Sequence, residues 1–368
     1  MHGEPARRRN QRGKRHRVRL WRDATKGSSM TLLRSQAGAK PSAGINAVST
    51  LLTFGALPVV LVICVVVFQL GNPRFLSSAN MLNILQQAVF LMLIAFGQML
   101  VLLAGGFDLS VGSVVALTSI ISAQVMVAVS LAYPDAPALA VGAGFVATIL
   151  VGLICGLING LGVAVLKVNA FVVTLATASI FRGVTLVISQ GLQVSGLPRD
   201  FVYGIGSGFF LGLPVSFFFA LPALLAVFLL VRQMRFGRYI YAIGSNIRSA
   251  MVAGVNINRY LIACYMLCAT ITAFAGWLLT ARVSSGEPLL GGEFPLNSIA
   301  AAVIGGCSLR GGEGSPVGVF MGVVFITVLA NGMDLLRIGS NYQMIVLGIV
   351  LVGAVVLDRY RLASAAKR

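Results

Sequence analysis

The sequence predicts an all-α, polytopic integral membrane protein with about ten transmembrane helices. Three observations carry that expectation. Hydrophobic residues make up 57% of the 368 residues and charged ones only 10%, whereas an ordinary soluble domain is about a quarter charged. The apolar residues gather into uncharged runs, and about 20 such residues suffice to cross a bilayer. The basic residues, finally, cluster at alternate ends of those runs.

Ten runs bounded by charges, Pro or Gly fall near 51–70, 84–104, 110–131, 138–166, 169–190, 213–231, 260–281, 297–309, 316–336 and 342–357. No small-residue cleavage site follows the first, so it reads as an uncleaved span and not as a signal peptide. The eighth is short and is expected to be broken or re-entrant, which a bilayer allows only where protein or a water-filled path surrounds it. Ten crossings put both termini on one side. With the basic tail in the cytoplasm, the segments on that side hold 23 of the 28 Lys and Arg, leaving Arg74, Arg182, Arg199, Arg282 and Arg337. Positive residues accumulate in cytoplasmic loops, so this orientation is expected.

Residues 1–45 read as a basic cytoplasmic tail, 46–360 as the transmembrane domain and 361–368 as a short cytoplasmic C-terminal tail. The net charge of +18 invites a nucleic-acid reading, but residues 1–40 alone hold 12 of the basic residues. That tail has no aromatic interleaving beyond Trp21 and no hydrophobic periodicity. A basic arm beside a span fixes orientation and touches anionic membrane lipid, so no nucleic-acid partner is expected. Met30 offers an alternative start, in which case residues 1–29 are an extension. Both histidines, His2 and His16, fall in the tail. The five cysteines have no paired metal spacing and read as small core residues. No catalytic residue and no metal site are expected.

The chain is organised around Gly105-Gly106-Phe107-Asp108-Leu109-Ser110-Val111-Gly112-Ser113. Asp108 is preceded by 33 uncharged residues, Phe75 to Phe107, and followed by 26, Leu109 to Pro134. Gly105, Gly106 and Gly112 permit a tight reversal or close helix contact. Asp108 is expected to hold the turn by capping the next helix, where a carboxylate also suits the helix dipole.

A weak internal repeat follows. Phe107-Asp108-Leu109-Ser110, entering the third span, parallels Phe294-Pro295-Leu296-Asn297, entering the eighth; Asn159-Gly160 parallels Asn331-Gly332. The copies are spans 2–5 and 7–10. Five is odd, so they insert with opposite orientation, and inverted repeats are common in transport proteins. Between them lies the largest polar loop of the body, 232–259. Within it Ile247 to Ala253 reads as a short helix, capped by Asn246 and ended by Gly254 in a left-handed conformation.

Several stretches together resemble one family. Gly106-Phe107-Asp108-Leu109-Ser110-Val111-Gly112-Ser113, Asn159-Gly160, Phe171 to Thr177 leading to Phe181-Arg182-Gly183, Gly237 to Gly244 with Ala250 and Gly254, and Ala300 to Ser315 occur in the order found in bacterial ABC transporter permeases that import monosaccharides (ribose, xylose and arabinose types). The resemblance spans roughly residues 50–360. It implies a type II importer-like fold in the bacterial inner (plasma) membrane and two permease copies, a homodimer being the simplest arrangement. It implies a separate cytoplasmic ABC ATPase that binds ATP and Mg, with no cofactor on this chain, and a periplasmic sugar-binding protein. The loop residues Gly237, Arg238, Ala242, Gly244, Ala250 and Gly254 would couple to the ATPase, with Ala250 against its groove. One departure is that Ile247-Arg248-Ser249-Ala250 is basic where the family is usually acidic.

The chain has no G-x-x-x-x-G-K-[ST] loop and cannot itself bind ATP in that manner. An ion-coupled secondary transporter commonly keeps acids near the bilayer midplane, whereas Asp108 is placed at a turn, Asp334 near a helix end, and Glu287, Glu293 and Glu313 in loops. A membrane enzyme lacks its histidine. Branched-chain amino acids or nucleosides remain alternative cargo for a permease of this type. A sugar needs neutral hydroxyl and amide partners, which points to Ser110, Asn159, Thr174, Thr177 and Asn297; each equally reads as a helix–helix hydrogen-bonding residue.

Overall fold

The computed structural model describes residues 57–365. The basic tail and the alternative start at Met30 lie outside the described residues. Helices form where the apolar runs predict them: α1 (Leu57–Gly71), α2 (Ser78–Leu103), α3 (Val111–Ala132), α4 (Pro137–Ala164), α5 (Ala170–Ser189) and α6 (Val215–Arg232). After α7 (Arg235–Ser245) and α8 (Ile247–Val252) come α9 (Ile257–Val283), α10 (Phe294–Ile304), α11 (Pro316–Leu335) and α12 (Ser340–Ala365). Among the described residues seven helices are long and apolar enough to cross a membrane, namely α2 to α6, α9 and α11; shorter apolar stretches occur in α1, α10 and α12.

The helix ends are closed locally, as they must be where water is scarce. Ser77, Asn169 and Ser315 accept bonds from Asn80 N, Phe171 N and Gly318 N at the starts of α2, α5 and α11. Pro137 and Pro316 occupy first helical positions, where a missing N–H costs nothing.

Two features differ from expectation. The loop 232–259 contains two helices: α7 precedes the short α8 and buries Gly237, Ile240 and Ile243 on one face. Between α5 and α6 the chain forms a π-helical segment, Asp200–Gly206, and a two-residue hairpin, β1 (Phe209–Phe210) with β2 (Leu213–Pro214). The Phe201 ring of that segment packs tilted against Trp277 at 5.0 Å, and Gln86 Nε2 donates to Gly206 O at 3.0 Å. The segment is thereby pinned to α9 and α2.

The core sits around α2, which is buried along most of its length. The repeat is visible in how helices pack. In the first copy α3 lies on α4 and α5; in the second α10 lies on α11 and α12. The leading helices exchange: α2 packs on α10 and α11, while α9 packs on α3 and α4. Small residues make the exchange close. Gly152, Gly156 and Gly160 of α4 lie on the backbone of α9 at Thr270, Met266 and Ile262, the small-residue interface that lets membrane helices approach. At the equivalent place in the second copy, Asn331 and Asn80 pair through their amides at 2.8 and 3.1 Å.

Candidate functional site

The buried polar site is built on residues 104–110. α2 ends at Leu103, whose carbonyl accepts from Gly312 N at 2.9 Å. The chain then turns at Gly105 (φ +82°) and enters the bundle, so that Ser110, Val111 and Gly112 at the start of α3 are buried. Gly106 packs on the Tyr265 hydroxyl, which donates to Phe107 O at 3.1 Å. Tyr265 is eight residues beyond the start of α9, about 12 Å along its axis. The turn is therefore a re-entrant segment inside protein, where irregular backbone is tolerated.

Asp108 is fully buried. Its Oδ1 accepts from Ser110 N at 2.9 Å and Ser110 Oγ at 2.6 Å. It makes no bond to the amides of α3, which corrects the expected helix cap: Asp108 lies two residues before the cap position, and Ser110 there caps nothing with its side chain. The carboxylate organises a network instead. Asn159 Nδ2 of α4 donates to Ser110 Oγ at 2.8 Å and approaches Asp108 Oδ1 at 3.4 Å. Asn159 Oδ1 accepts from Thr177 Oγ1 of α5 at 2.6 Å. The Gln98 amide of α2, oriented to satisfy both groups, donates to Asp108 O at 3.1 Å and accepts from Asp108 N at 3.2 Å. Thr174 turns back to Ala170 O at 2.8 Å. α2, α4, α5 and α9 thus all hold one segment, and Gly112, where α3 begins, has room for no side chain because Gly291 O would lie 2.6 Å from a Cβ.

Of the five residues expected on a substrate path, Ser110, Asn159, Thr174 and Thr177 are buried here, the first three completely. Asn297 lies apart, lining a cavity of about 140 Å³ with Glu293, Ala300 and Met344.

The loop residues fall at the opposite edge of the same turn. Three backbone strands meet there without side chains between them: a Cβ on Gly244 would collide with Leu103 O and Gly312 N, and one on Gly311 would lie 2.7 Å from Gly105 Cα. Only glycine allows such an approach. Tyr241 Oη donates to Gly314 O at 2.6 Å across the junction, and burial pushes its phenol above the usual range, so it stays a neutral donor. In α8, Asn246 Oδ1 accepts from Ser249 N at 3.0 Å, and Gly254 follows at φ +79°. Ala250 packs inward on Ile243 and Ile257. Its methyl faces this chain, so the outward surface of α8 is made by Ile247, Met251 and Val252, all exposed. Arg238 and Ala242 are exposed on α7, whereas Gly237 lies against the Val231 carbonyl.

A multi-pass helical bundle with two similarly packed halves and a buried polar turn has the architecture of a membrane permease. The chain belongs to the family described as branched-chain amino acid transport system / permease component, which matches residues 80–355. It is similar to the ribose import permease protein RbsC of Bacillus subtilis, 40% identical over 82% of this chain and 92% of that protein. It is 36% identical to the D-allose transport system permease protein AlsC of Escherichia coli over 82% of this chain and 90% of the relative. With the galactose/methyl galactoside import permease protein MglC of Haemophilus influenzae it shares 33% identity over 85% and 96%. No solved structure matches the chain.

Proposed function

We propose that this chain is the membrane-spanning permease subunit of an ATP-binding cassette importer and that it moves a monosaccharide across the bacterial inner membrane. The observation that carries the reading is the chain-long similarity to permeases named for ribose, allose and galactose. Energy comes from a separate cytoplasmic ABC ATPase that binds ATP and Mg; this chain itself binds no cofactor. A periplasmic binding protein delivers the sugar, and a second, identical permease copy completes the path. Both termini are cytoplasmic, with the basic tail against anionic lipid.

In this reading α7 and α8 are the docking element. α8 presents Ile247, Met251 and Val252 outward while Ala250 anchors it from behind. The glycine junction ties its neighbour α7 to the re-entrant turn. Ser110, Asn159, Thr174 and Thr177 shape the path from within the wall, and Asn297 faces open space. The test is reconstitution in proteoliposomes with the ATPase and binding protein, measuring uptake of ribose, allose and galactose. Accumulation only with all components and ATP supports the reading; accumulation by the lone chain under a proton or sodium gradient overturns it. The family description favours branched-chain amino acids as a second reading, which leucine uptake in the same vesicles would establish.

A further inference from the structure

A second polar feature lies outside the Asp108 network. A cavity of about 200 Å³ is bounded by Gly112 and Ser113 at the start of α3, Leu289 and Gly292 in the loop before α10, Pro295 in the first turn of α10, and Arg182 of α5. The connections that lead into α3 and α10, 104–110 and 284–293, therefore both border this one space, and repeat folds gather substrate groups where their repeats meet.

Arg182 is the charged group of the lining. It is the thirteenth of the 20 residues of α5, about 18 Å from the first and about 10 Å from the last. Its neighbour Phe181 is buried against Val114, Leu117 and Val151, which fixes the rotation of α5 at this level. Among the described residues the Arg182 side chain makes no hydrogen bond or ion pair. The acids of the adjoining loop lie elsewhere: Glu287 accepts from Ser285 Oγ at 2.6 Å, and Glu293 lines the other cavity. A cation at membrane depth is expensive unless it faces water, a partner group or a ligand.

We propose that this cavity is a substrate-contacting station on the translocation path, and that Arg182 holds the sugar there by donating from its planar fork to two adjacent hydroxyl oxygens. The inference rests on the reading that the chain moves a monosaccharide. The guanidinium presents parallel N–H groups and no acceptor, and Ser113 adds a hydroxyl beside it. A neutral diol satisfies these donors without forming a charge pair. A carboxylate would bind the same fork more tightly, and a transit site must bind loosely enough to release.

The test uses the complete transporter in proteoliposomes with radiolabelled ribose, allose and galactose, and with galacturonate as the acidic comparison. Arg182→Gln and Arg182→Lys should each lower the maximal uptake of the transported sugar at least tenfold at wild-type membrane levels. Lysine fails because it keeps the charge and loses the fork. Ser113→Cys, with Arg182 intact, should react with a water-soluble thiol reagent, and saturating transported sugar should slow that reaction at least threefold. This second arm decides the matter if the Arg182 variants do not insert. Wild-type uptake in both variants, or labelling of Ser113→Cys indifferent to sugar, overturns the inference while leaving the importer reading intact. Protection by galacturonate and by no neutral sugar overturns the diol assignment. Loss of the permease dimer in Arg182→Gln would make the arginine an intersubunit contact and would overturn it as well. Failure of the wild-type transporter to move any of the sugars refutes the importer reading itself.

Discussion

Replacing Asn159 by leucine tests whether the buried network holds the re-entrant turn. The swap conserves bulk and deletes an amide that donates to Ser110 Oγ at 2.8 Å and accepts from Thr177 Oγ1 at 2.6 Å. Two neighbours keep partners afterwards. Ser110 Oγ still donates to Asp108, and Thr177 Oγ1 still reaches Thr174 O at 3.2 Å. Asp108 Oδ2 keeps none, because its bond is the 3.5 Å approach of Asn159 Nδ2. Each lost hydrogen bond is worth about 0.6–1 kcal/mol inside a membrane protein. An unsatisfied buried acceptor adds about 1–3 kcal/mol. The expected destabilisation is therefore about 2–5 kcal/mol, most of it at Asp108. If so, Asp108→Asn should cost less in the Asn159→Leu background than alone, with a coupling of about 1–2 kcal/mol in the double-mutant cycle. Denaturant titration of the purified chain in mixed micelles measures all four proteins. A destabilisation below about 0.5 kcal/mol, or an additive cycle, refutes the argument.

Gly244→Ala places a Cβ against Leu103 O and Gly312 N; uptake should fall at least tenfold with reduced thermal stability, read by uptake assay and melting in detergent. Gly254→Val forces a β-branched residue to φ +79°, at a cost of about 1–2 kcal/mol; pull-down of the ATPase should weaken while the permease still inserts. Ile247→Asp and Met251→Asp alter exposed residues, so stability should stay within about 0.5 kcal/mol while sugar-stimulated ATPase activity is lost; unchanged stimulation would remove α8 from the docking surface. Ala250→Glu buries a carboxylate among Ile243 and Ile257, and should lower the amount of folded protein, which size-exclusion chromatography reports.

The apolar helices are legible because charges, Pro and Gly bound the runs, and each of the ten predicted stretches contains a helix among the described residues. The cap at Asn246 and the left-handed Gly254 follow from local chemistry that needs no tertiary context. α7 is illegible from composition, since Arg235 and Arg238 make its segment look like a loop. Its periodic signal is present all the same: Phe236, Ile240 and Ile243 stand at i, i+4 and i+7. The π-helical segment has no sequence period of its own and depends on Trp277 and Gln86 from distant helices. The depth of Asp108 is hidden for a related reason. Charge spacing shows where a helix stops; whether the chain then continues outward or doubles back depends on Tyr265, 158 residues away. Polarity alone selected Ser110, Asn159 and Thr177, and it could not reveal that they satisfy one another.

The exchange of α2 and α9 constrains how such a molecule can move. Each repeat buries its leading helix in the other: α2 against α10 and α11, α9 against α3 and α4. Rocking one repeat against its counterpart would separate α4 from α9, where Gly156 lies on the Met266 backbone with no room for a Cβ. It would also break the reciprocal Asn80–Asn331 pair. Interfaces packed this closely are bistable or rigid and do not deform continuously. The four helices α2, α4, α9 and α11 therefore behave as one block. α5 and α6 stand outside it, with only about a fifth of their membrane windows buried, and α5 carries both Thr177 and Arg182. Rearrangement that opens a path thus falls to helices outside the block, α5 and α6 among them. α5 packs on the block through Phe181, and its Thr177 Oγ1 donates to Asn159 Oδ1 at 2.6 Å; that bond is where movement of the outer helix would be felt directly at the buried turn.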